Sequence, residues 1–229
     1  FGMATRRRRV ASRASMTWVW LFAVALHCAL CCVREMTTDE TSDASELLER
    51  GKYWYLQAAA SRSEAQALWS IRYLKKCIFH LERSSSSSSS SSAQGTKVAG
   101  KGDQHASTTQ LSAAYYYLGA NLRMLERNEE ARSALLEVKR MMPTSLATHA
   151  QLGALEEEEQ DWAAAEQAYE AWTRLAPHAA KALNALGWVK FRAGQPHEAV
   201  ALFMQATRLR PSDAESWYTL ARGAELYGG

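Results

Sequence analysis

From residue 111 onward, the pattern of apolar and polar positions repeats every 34 residues. Three kinds of position recur: a Leu-Gly pair, an alanine followed four residues later by a large apolar side chain, and a proline. The recurring residues are Leu118, Leu152 and Leu186, each followed by glycine; Ala131, Ala165 and Ala199; Leu135, Tyr169 and Phe203; and Pro143, Pro177 and Pro211. A fixed period of this length predicts stacked units, each with two helices.

The residue types explain the predicted helix pairs. The glycine lies on the first helix and the alanine on the second, so two small residues let the helices approach closely. Each proline ends the second helix, because it lacks an N–H and clashes within a helix. Residues 212–215 read Ser-Asp-Ala-Glu, a capping box that is expected to begin the next helix. The predicted repeat region is 109–229, with units at 112–145, 146–179 and 180–213 and a partial unit at 214–229.

This set of motifs resembles the tetratricopeptide repeat family, in which Leu-Gly, alanine, an aromatic residue and proline recur in that order. The resemblance covers residues 112–227, about half of the chain. It implies an all-α fold, an α-α superhelix of antiparallel helix hairpins. A single hairpin cannot bury its apolar faces alone, so about three stacked repeats are the usual minimum.

The resemblance also implies a concave groove lined by the first helix of each unit. Carried over residue by residue, it assigns eight side chains to a partner-binding groove: Tyr116, Arg123, Lys181, Asn184, Trp188, Phe191, Tyr218 and Arg222. Alanines 113, 120, 147, 150 and 154, with Glu157, Glu215 and Glu225, complete the lining. For each aromatic residue, ordinary packing between neighbouring repeats is the alternative interpretation.

One subclass of the family clamps the C-terminal carboxylate of chaperones with lysine, asparagine and arginine. Here Tyr116 and Ala120 occupy the first pair of clamp positions, Gln151 the next, and Lys181 and Ala185 the last. Only Lys181 fits the clamp. A chaperone tail is therefore not expected as the partner.

The residues before the repeats differ in composition. Residues 44–82 have the apolar spacing of a helical hairpin, interpreted as a possible degenerate earlier repeat. An unbroken serine run follows at 84–92, and the polar stretch extends to 109. Because such a segment buries too little apolar surface to offset its conformational entropy, residues 83–108 are predicted to be a flexible linker.

Residues 1–35 have the pattern of a targeting leader. Five arginines between positions 6 and 13 precede an apolar run from 16 to 33. Such a run would span roughly 27 Å as a helix, about one bilayer core. Three interpretations remain open: a signal peptide or single-pass signal anchor, an organellar transit peptide, or translation that begins at Met36. The first predicts a membrane or secretory location, and the last a cytoplasmic one.

Composition and charge exclude several functions. The chain of 229 residues has a formal charge of +3, but six arginines lie in the leader and the repeat region is mildly acidic, so nucleic acid is not expected as a partner. The acidic run at 156–159 is interpreted as a solvated helix end or as an attraction for a basic partner.

No catalytic, metal-binding or cofactor-binding residues are expected. The six histidines lack the spacing of metal ligands, and no nucleophile elbow occurs. Residues 95–102 nearly match a phosphate-binding loop, but Gly102 replaces the hydroxyl that would hold magnesium.

The function expected from the sequence is a non-catalytic scaffold that binds a protein or peptide in the groove. The alternative is the repeat region of a larger enzyme, such as a glycosyltransferase.

Overall fold

A computed structural model describes residues 43–90 and 101–228, apart from the side chains of 86–90, 101–104, 215 and 226–228. Within these residues the chain forms helices joined by short turns, and the helices from residue 44 onward belong to one compact unit. The helices are α1 (Ala44–Ser61), α2 (Glu64–Ser90), α3 (Lys101–Met124), α4 (Asn128–Met141), α5 (Leu146–Glu158), α6 (Trp162–Leu175), α7 (Ala180–Arg192), α8 (Pro196–Leu209) and α9 (Ala214–Gly228). The all-α prediction is confirmed.

The repeat glycines let the two helices approach closely, as predicted, but each faces the large residue of the second helix and not chiefly the alanine. A β-carbon placed on Gly119 would lie 2.8 Å from the Leu135 side chain, and one on Gly187 would lie 2.5 Å from the ring of Phe203. Because glycine has no side chain, the second helix can place a large residue directly against the first helix. The helices α4, α6 and α8 each end two residues before a proline, as predicted.

The hairpin α1–α2 shows the same contact at a longer spacing. Gly51 on α1 faces Leu74 on α2, at 2.6 Å from a β-carbon placed on the glycine. These two residues are 23 apart in sequence, against 16 in the later hairpins. The seven extra residues are about two helical turns, which return the side chains to the same face. The left-handed turn residue Arg62 lies 11 positions after Gly51 and 12 before Leu74. In the next hairpin the corresponding spacings around Glu126 are 7 and 9, so both helices share the extension.

Polar side chains fix the joint between α1–α2 and α3. The buried Ser70 hydroxyl donates to the Gly51 carbonyl at 2.7 Å, and the Asn121 amide nitrogen donates to the Ser70 oxygen at 2.9 Å. Leu74 and Leu81 lie in the same core cluster as Leu118 and Leu122. The hairpin α1–α2 therefore packs directly on the first predicted repeat.

Two expectations for the linker and the last helix are corrected. Residues 83–108 are not a linker throughout, because α2 continues to Ser90 and α3 begins at Lys101. The hydroxyl of Ser84 donates to the Leu81 carbonyl at 2.8 Å, which is compatible with a continuing helix. Residues 91–100 lie outside the described part. At the last helix, Asp213 and not Ser212 directly precedes the first helical residue.

The expected membrane localisation is also corrected. Across residues 43–90 and 101–228, none of the helices combines the length and the apolar character needed to cross a bilayer. The run 16–33, on which the signal-anchor interpretation depended, lies outside the described residues.

Candidate partner-binding face

The side chains assigned to the groove differ in how accessible they are. Tyr116 and Arg123 on α3 and Trp188 and Phe191 on α7 are half-buried. Lys181, Tyr218 and Arg222 are exposed, and Asn184 is buried. Glu215, also expected there, is among the residues whose side chains are not described.

An aromatic group lies on α7 beside the last helix. The Trp188 ring meets the Phe191 ring edge to face at 6.0 Å, and it meets the buried Phe203 ring at 5.5 Å. Trp188 therefore has one side fixed by the core and part of its surface open to solvent. Edge-to-face contacts of this kind hold aromatic side chains in one orientation.

Tyr218 and Arg222 form a second, more open pair on α9. Tyr218 is 59% exposed, and its hydroxyl accepts a hydrogen bond of 3.0 Å from the Arg222 guanidinium. The two residues are one helical turn apart, so the bond orders both side chains on the surface without burying them.

Asn184 does not belong to an accessible surface. It is only 4% exposed, and its amide nitrogen donates to the Ser216 hydroxyl at 3.1 Å. The Thr219 hydroxyl donates to its carbonyl oxygen at 3.3 Å. Asn184 thus joins α7 to α9, and its assignment to the groove is wrong because both ends of the amide are used inside the fold.

A tyrosine cluster that the repeat period did not predict lies at the opposite end of the array. The ring of Tyr117 lies 5.3 Å from that of Tyr55 and 5.5 Å from that of Tyr116, and the Lys52 ammonium lies 5.9 Å from its centre. Burial is the main cause that raises the pKa of Tyr55. Aligning Gly51 with Gly119 would have placed Tyr55 in register with Arg123, and that alignment was the available signal.

The acidic run 156–159 forms ion pairs with arginines of the preceding unit. Arg132 on α4 donates to both carboxylate oxygens of Glu156, at 2.9 and 2.7 Å, and also pairs with Glu159. Arg123 pairs with Glu158 at 2.5 Å. Glu156 is buried by this pairing, whereas Glu158 and Glu159 are exposed, so the expectation of a solvated helix end fails at Glu156 and holds at the last two residues. The attraction for a basic partner stays a prediction.

The charges in this region shift the pKa values of their partners. The hydrogen bonds that the Arg132 guanidinium donates to Glu156 are the main cause that raises its pKa. Burial, and then the carboxylate of Glu157, raise the pKa of Tyr169 well above its usual range. The Tyr169 hydroxyl donates to Glu157 at 3.2 Å, so this carboxylate accepts a hydrogen bond from an uncharged side chain.

Lys190 on α7 is held between two carboxylates. Its ammonium lies 2.6 Å from Glu166 on α6 and 2.9 Å from Glu198 on α8. The hydrogen bond with Glu166 is the main cause that raises the pKa of Lys190. This lysine therefore connects two repeats and is not available to an outside ligand.

A cleft of about 530 Å³ opens beside the end of α5. Its walls are formed by Ala154, Glu157, Glu158, Gln160, Trp162 and Arg192. The Arg192 guanidinium lies 5.7 Å from the centre of the Trp162 ring, so the aromatic face is already covered by a cation. Within the described residues, no group of three or more His, Cys, Asp or Glu side chains is arranged to hold a metal ion.

Comparison with known proteins supports the fold. No family model and no curated protein matches the chain. Among solved structures, MamA (residues 41 to the end) from Desulfovibrio magneticus RS-1 is similar at a TM-score of 0.55, with 16% identity over 78% of this chain and 86% of that one. A tetratricopeptide repeat protein from Parabacteroides merdae is similar at 0.57, with 11% identity over 79% of this chain and 61% of that one.

The described residues thus form an all-α solenoid, in which helical hairpins stack and share an interrupted core. More particularly, the solenoid is of the tetratricopeptide repeat kind, and the resemblance seen in the sequence is confirmed. The similarity to solved structures concerns the fold alone, because the identities are low.

Proposed function

We propose that this protein is a non-catalytic scaffold that binds a segment of another protein along the face formed by its first helices. The observation that carries the proposal is the accessible group on α7 and α9, where half-buried Trp188 and Phe191 accompany exposed Tyr218 and Arg222. Tryptophan, tyrosine and arginine are the side chains most enriched among energetically dominant interface residues.

The arrangement of these side chains favours binding. Phe203 and Phe191 fix the orientation of Trp188, and Arg222 fixes that of Tyr218. Ordered side chains lose little conformational entropy when a partner binds, so more of the contact energy becomes affinity. On α5, the first helix of the preceding unit, the positions assigned to the groove hold the small residues Ala147, Ala150 and Ala154.

Charge adds a selective element to the proposed face. Lys181 on α7 and Arg222 on α9 are exposed cations, whereas Arg123, near the tyrosine cluster, is already paired with Glu158. Cations at the edge of an interface chiefly affect the rate of association and the choice of partner. A bound segment is therefore expected to place its acidic side chains towards the C-terminal end of the array.

The experiment is a selection of peptides from a randomised display library against the full chain, followed by affinity measurements on the selected peptides. We expect Tyr218→Ala and Lys181→Glu to raise the Kd, the first by about tenfold. Tyr53→Ala is the matched control, because this tyrosine is 56% exposed on α1, outside the proposed face. Equal affinities of the wild type and both variants would reject this face.

Trp188→Ala is a third variant with a separate requirement. Because Trp188 touches the core residue Phe203, its loss also affects packing. We expect the variant to lose binding while its helical circular dichroism is retained. If this variant unfolds, the test of the face depends on Tyr218→Ala and Lys181→Glu.

A further inference from the structure

The exposed side of α2 has an amphipathic pattern that the proposed groove does not use. Its buried side carries Ile71, Leu74, Ile78 and Leu81, which belong to the core. Leu68, Arg72, Lys75 and Phe79 lie four, three and four residues apart on the other side, so they form one stripe along the helix. We call these four residues the α2 stripe.

Two large apolar side chains of the stripe are exposed to solvent. Leu68 is 48% exposed and Phe79 is 60% exposed. They are eleven positions apart, which corresponds to roughly 16 Å along a helix, or three turns. Paired apolar anchors at this separation match the contact length of a short amphipathic helix.

The two cations between these apolar side chains have few carboxylates close to them. Arg72 lies over the Trp69 ring at 5.4 Å, which orders its guanidinium at the surface. Lys75 reaches Glu130 only at 3.8 Å, and Glu130 is bound more closely by Arg127. From Glu64 to Arg83 the helix has four Lys or Arg residues and two Glu residues, and Glu82 accepts a hydrogen bond of 2.6 Å from Tyr115.

We propose that the α2 stripe is a second docking surface, which binds an acidic amphipathic helix of a partner protein. The apolar side chains of that helix would cover Leu68 and Phe79, and its carboxylates would pair with Arg72 and Lys75. Charge complementarity selects this partner, because a basic or neutral helix would bury the two cations without compensation. The surface lies on a second helix, apart from the face of the first helices.

The experiment uses the full chain and a designed helical peptide with a fluorescent label. The peptide has two leucines eleven residues apart and two glutamates between them, and a matched peptide replaces both glutamates with lysine. We expect the acidic peptide to bind, with an affinity that falls as salt increases, because the pairs are near the surface. The lysine peptide is expected to bind at least tenfold more weakly.

Variants locate the binding site. Phe79→Ala and Lys75→Glu are each expected to raise the Kd of the acidic peptide by about tenfold. The matched controls Met204→Ala and Arg208→Glu change an exposed apolar residue and an exposed cation on α8, and we expect no change from either. Tyr218→Ala also leaves this affinity unchanged, so the result is separable from the test of the groove.

Three outcomes would overturn the proposal. The first is the absence of binding by the acidic peptide, and the second is equal binding of the acidic and lysine peptides. The third is a wild-type affinity in both Phe79→Ala and Lys75→Glu. Vesicles of phosphatidylserine and phosphatidylcholine serve as a further probe, and stripe-dependent binding to them without binding to the peptide would show an anionic lipid surface as the ligand instead.

Discussion

Arg132 and Glu156 form a two-pronged ion pair that joins α4 to α5, with Nε–Oε1 at 2.9 Å and Nη2–Oε2 at 2.7 Å. One repeat further along, the same two positions are occupied by Glu166 and Lys190, which are 2.6 Å apart. The ion pair between neighbouring repeats therefore recurs, with the acidic and the basic residue in exchanged positions. Glu156 keeps 12% of its side chain exposed, so this pair is largely shielded from water.

The first prediction concerns this pair. Arg132→Met keeps the apolar stem but leaves the largely buried Glu156 without its cation, and we expect the free energy of unfolding to fall by about 2 kcal/mol. The matched control is Arg140→Met, because Arg140 pairs with Glu137 at 72% and 43% exposure. Such exposed pairs contribute about 0.2–1 kcal/mol. Urea denaturation measures both, and equal losses would contradict the prediction.

The second prediction concerns the contact of Gly153 with Tyr169. A β-carbon on Gly153 would lie 2.6 Å from Cδ1 and 2.7 Å from Cζ of the ring, and the Tyr169 hydroxyl is held by Glu157. Overpacking of this kind costs about 1–3 kcal/mol, and the better helix propensity of alanine returns up to about 1 kcal/mol. We therefore expect Gly153→Ala to lower the midpoint of thermal unfolding.

A second background tests the cause of that loss. The Tyr169→Leu substitution places a leucine opposite Gly153. The first repeat has the same combination, because Leu135 lies opposite Gly119. A leucine side chain can rotate away more easily than a ring whose hydroxyl is bonded. Gly153→Ala should cost less in the Tyr169→Leu background than in the wild type, and an undiminished cost would exclude the ring as its origin.

The third prediction uses the turns between first and second helices. Gly194 has φ of +83° and Gln160 has φ of +63°, so the same left-handed turn position holds glycine in one repeat and glutamine in another. A side chain in this conformation costs about 1–2 kcal/mol. Gly194→Ala should destabilise the fold and Gln160→Gly should stabilise it, the latter by less because glycine gains entropy in the unfolded chain. Opposite shifts of the urea midpoint are expected, and shifts of the same sign would refute this account.

The fourth prediction concerns alkaline pH. Burial, together with the hydrogen bond to Glu82, raises the pKa of Tyr115 to about 12 from the ordinary value of 10. Because the unfolded chain releases this proton first, the stabilisation from Tyr115 is complete below pH 10 and is lost as pH rises towards about 12. The difference in tyrosinate absorbance between wild type and Tyr115→Phe should show this late titration.

Glu82→Gln provides the control for that titration. It removes the carboxylate charge near the phenol but keeps a hydrogen-bond acceptor, so the pKa of Tyr115 should move back towards its ordinary value. An unchanged titration in this variant would assign the shift to burial alone.

The sequence was sufficient for features that repeat. The period of 34 residues predicted the hairpins, the close approach of the two helices at each glycine and the proline ends, because each depends on residues within one unit. The same period also predicted which residues lie on first helices. It could not predict that Asn184 is buried, because its burial depends on Ser216 and Thr219 of the next unit.

The features missed at the N-terminal end have a related physical cause. The seven-residue extension of α1–α2 hides the alignment of Gly51 with Gly119, and with it the position of Tyr55. Serine composition predicted a flexible segment from residue 83, yet α2 continues to Ser90. Composition reports average preference, whereas a helix already nucleated by buried residues such as Leu74 and Leu81 can extend into a weaker stretch.

The exchanged charges of the two inter-repeat ion pairs give the unit 146–179 a fixed place between its neighbours. If the unit 146–179 were removed, the unit 112–145 would meet 180–213 directly. Arg132 would then face Lys190, and Arg123 would face Arg192 in place of Glu158. Deletion or duplication of a repeat is an ordinary route by which arrays change length, and for the unit 146–179 either change would place like charges at the new junction.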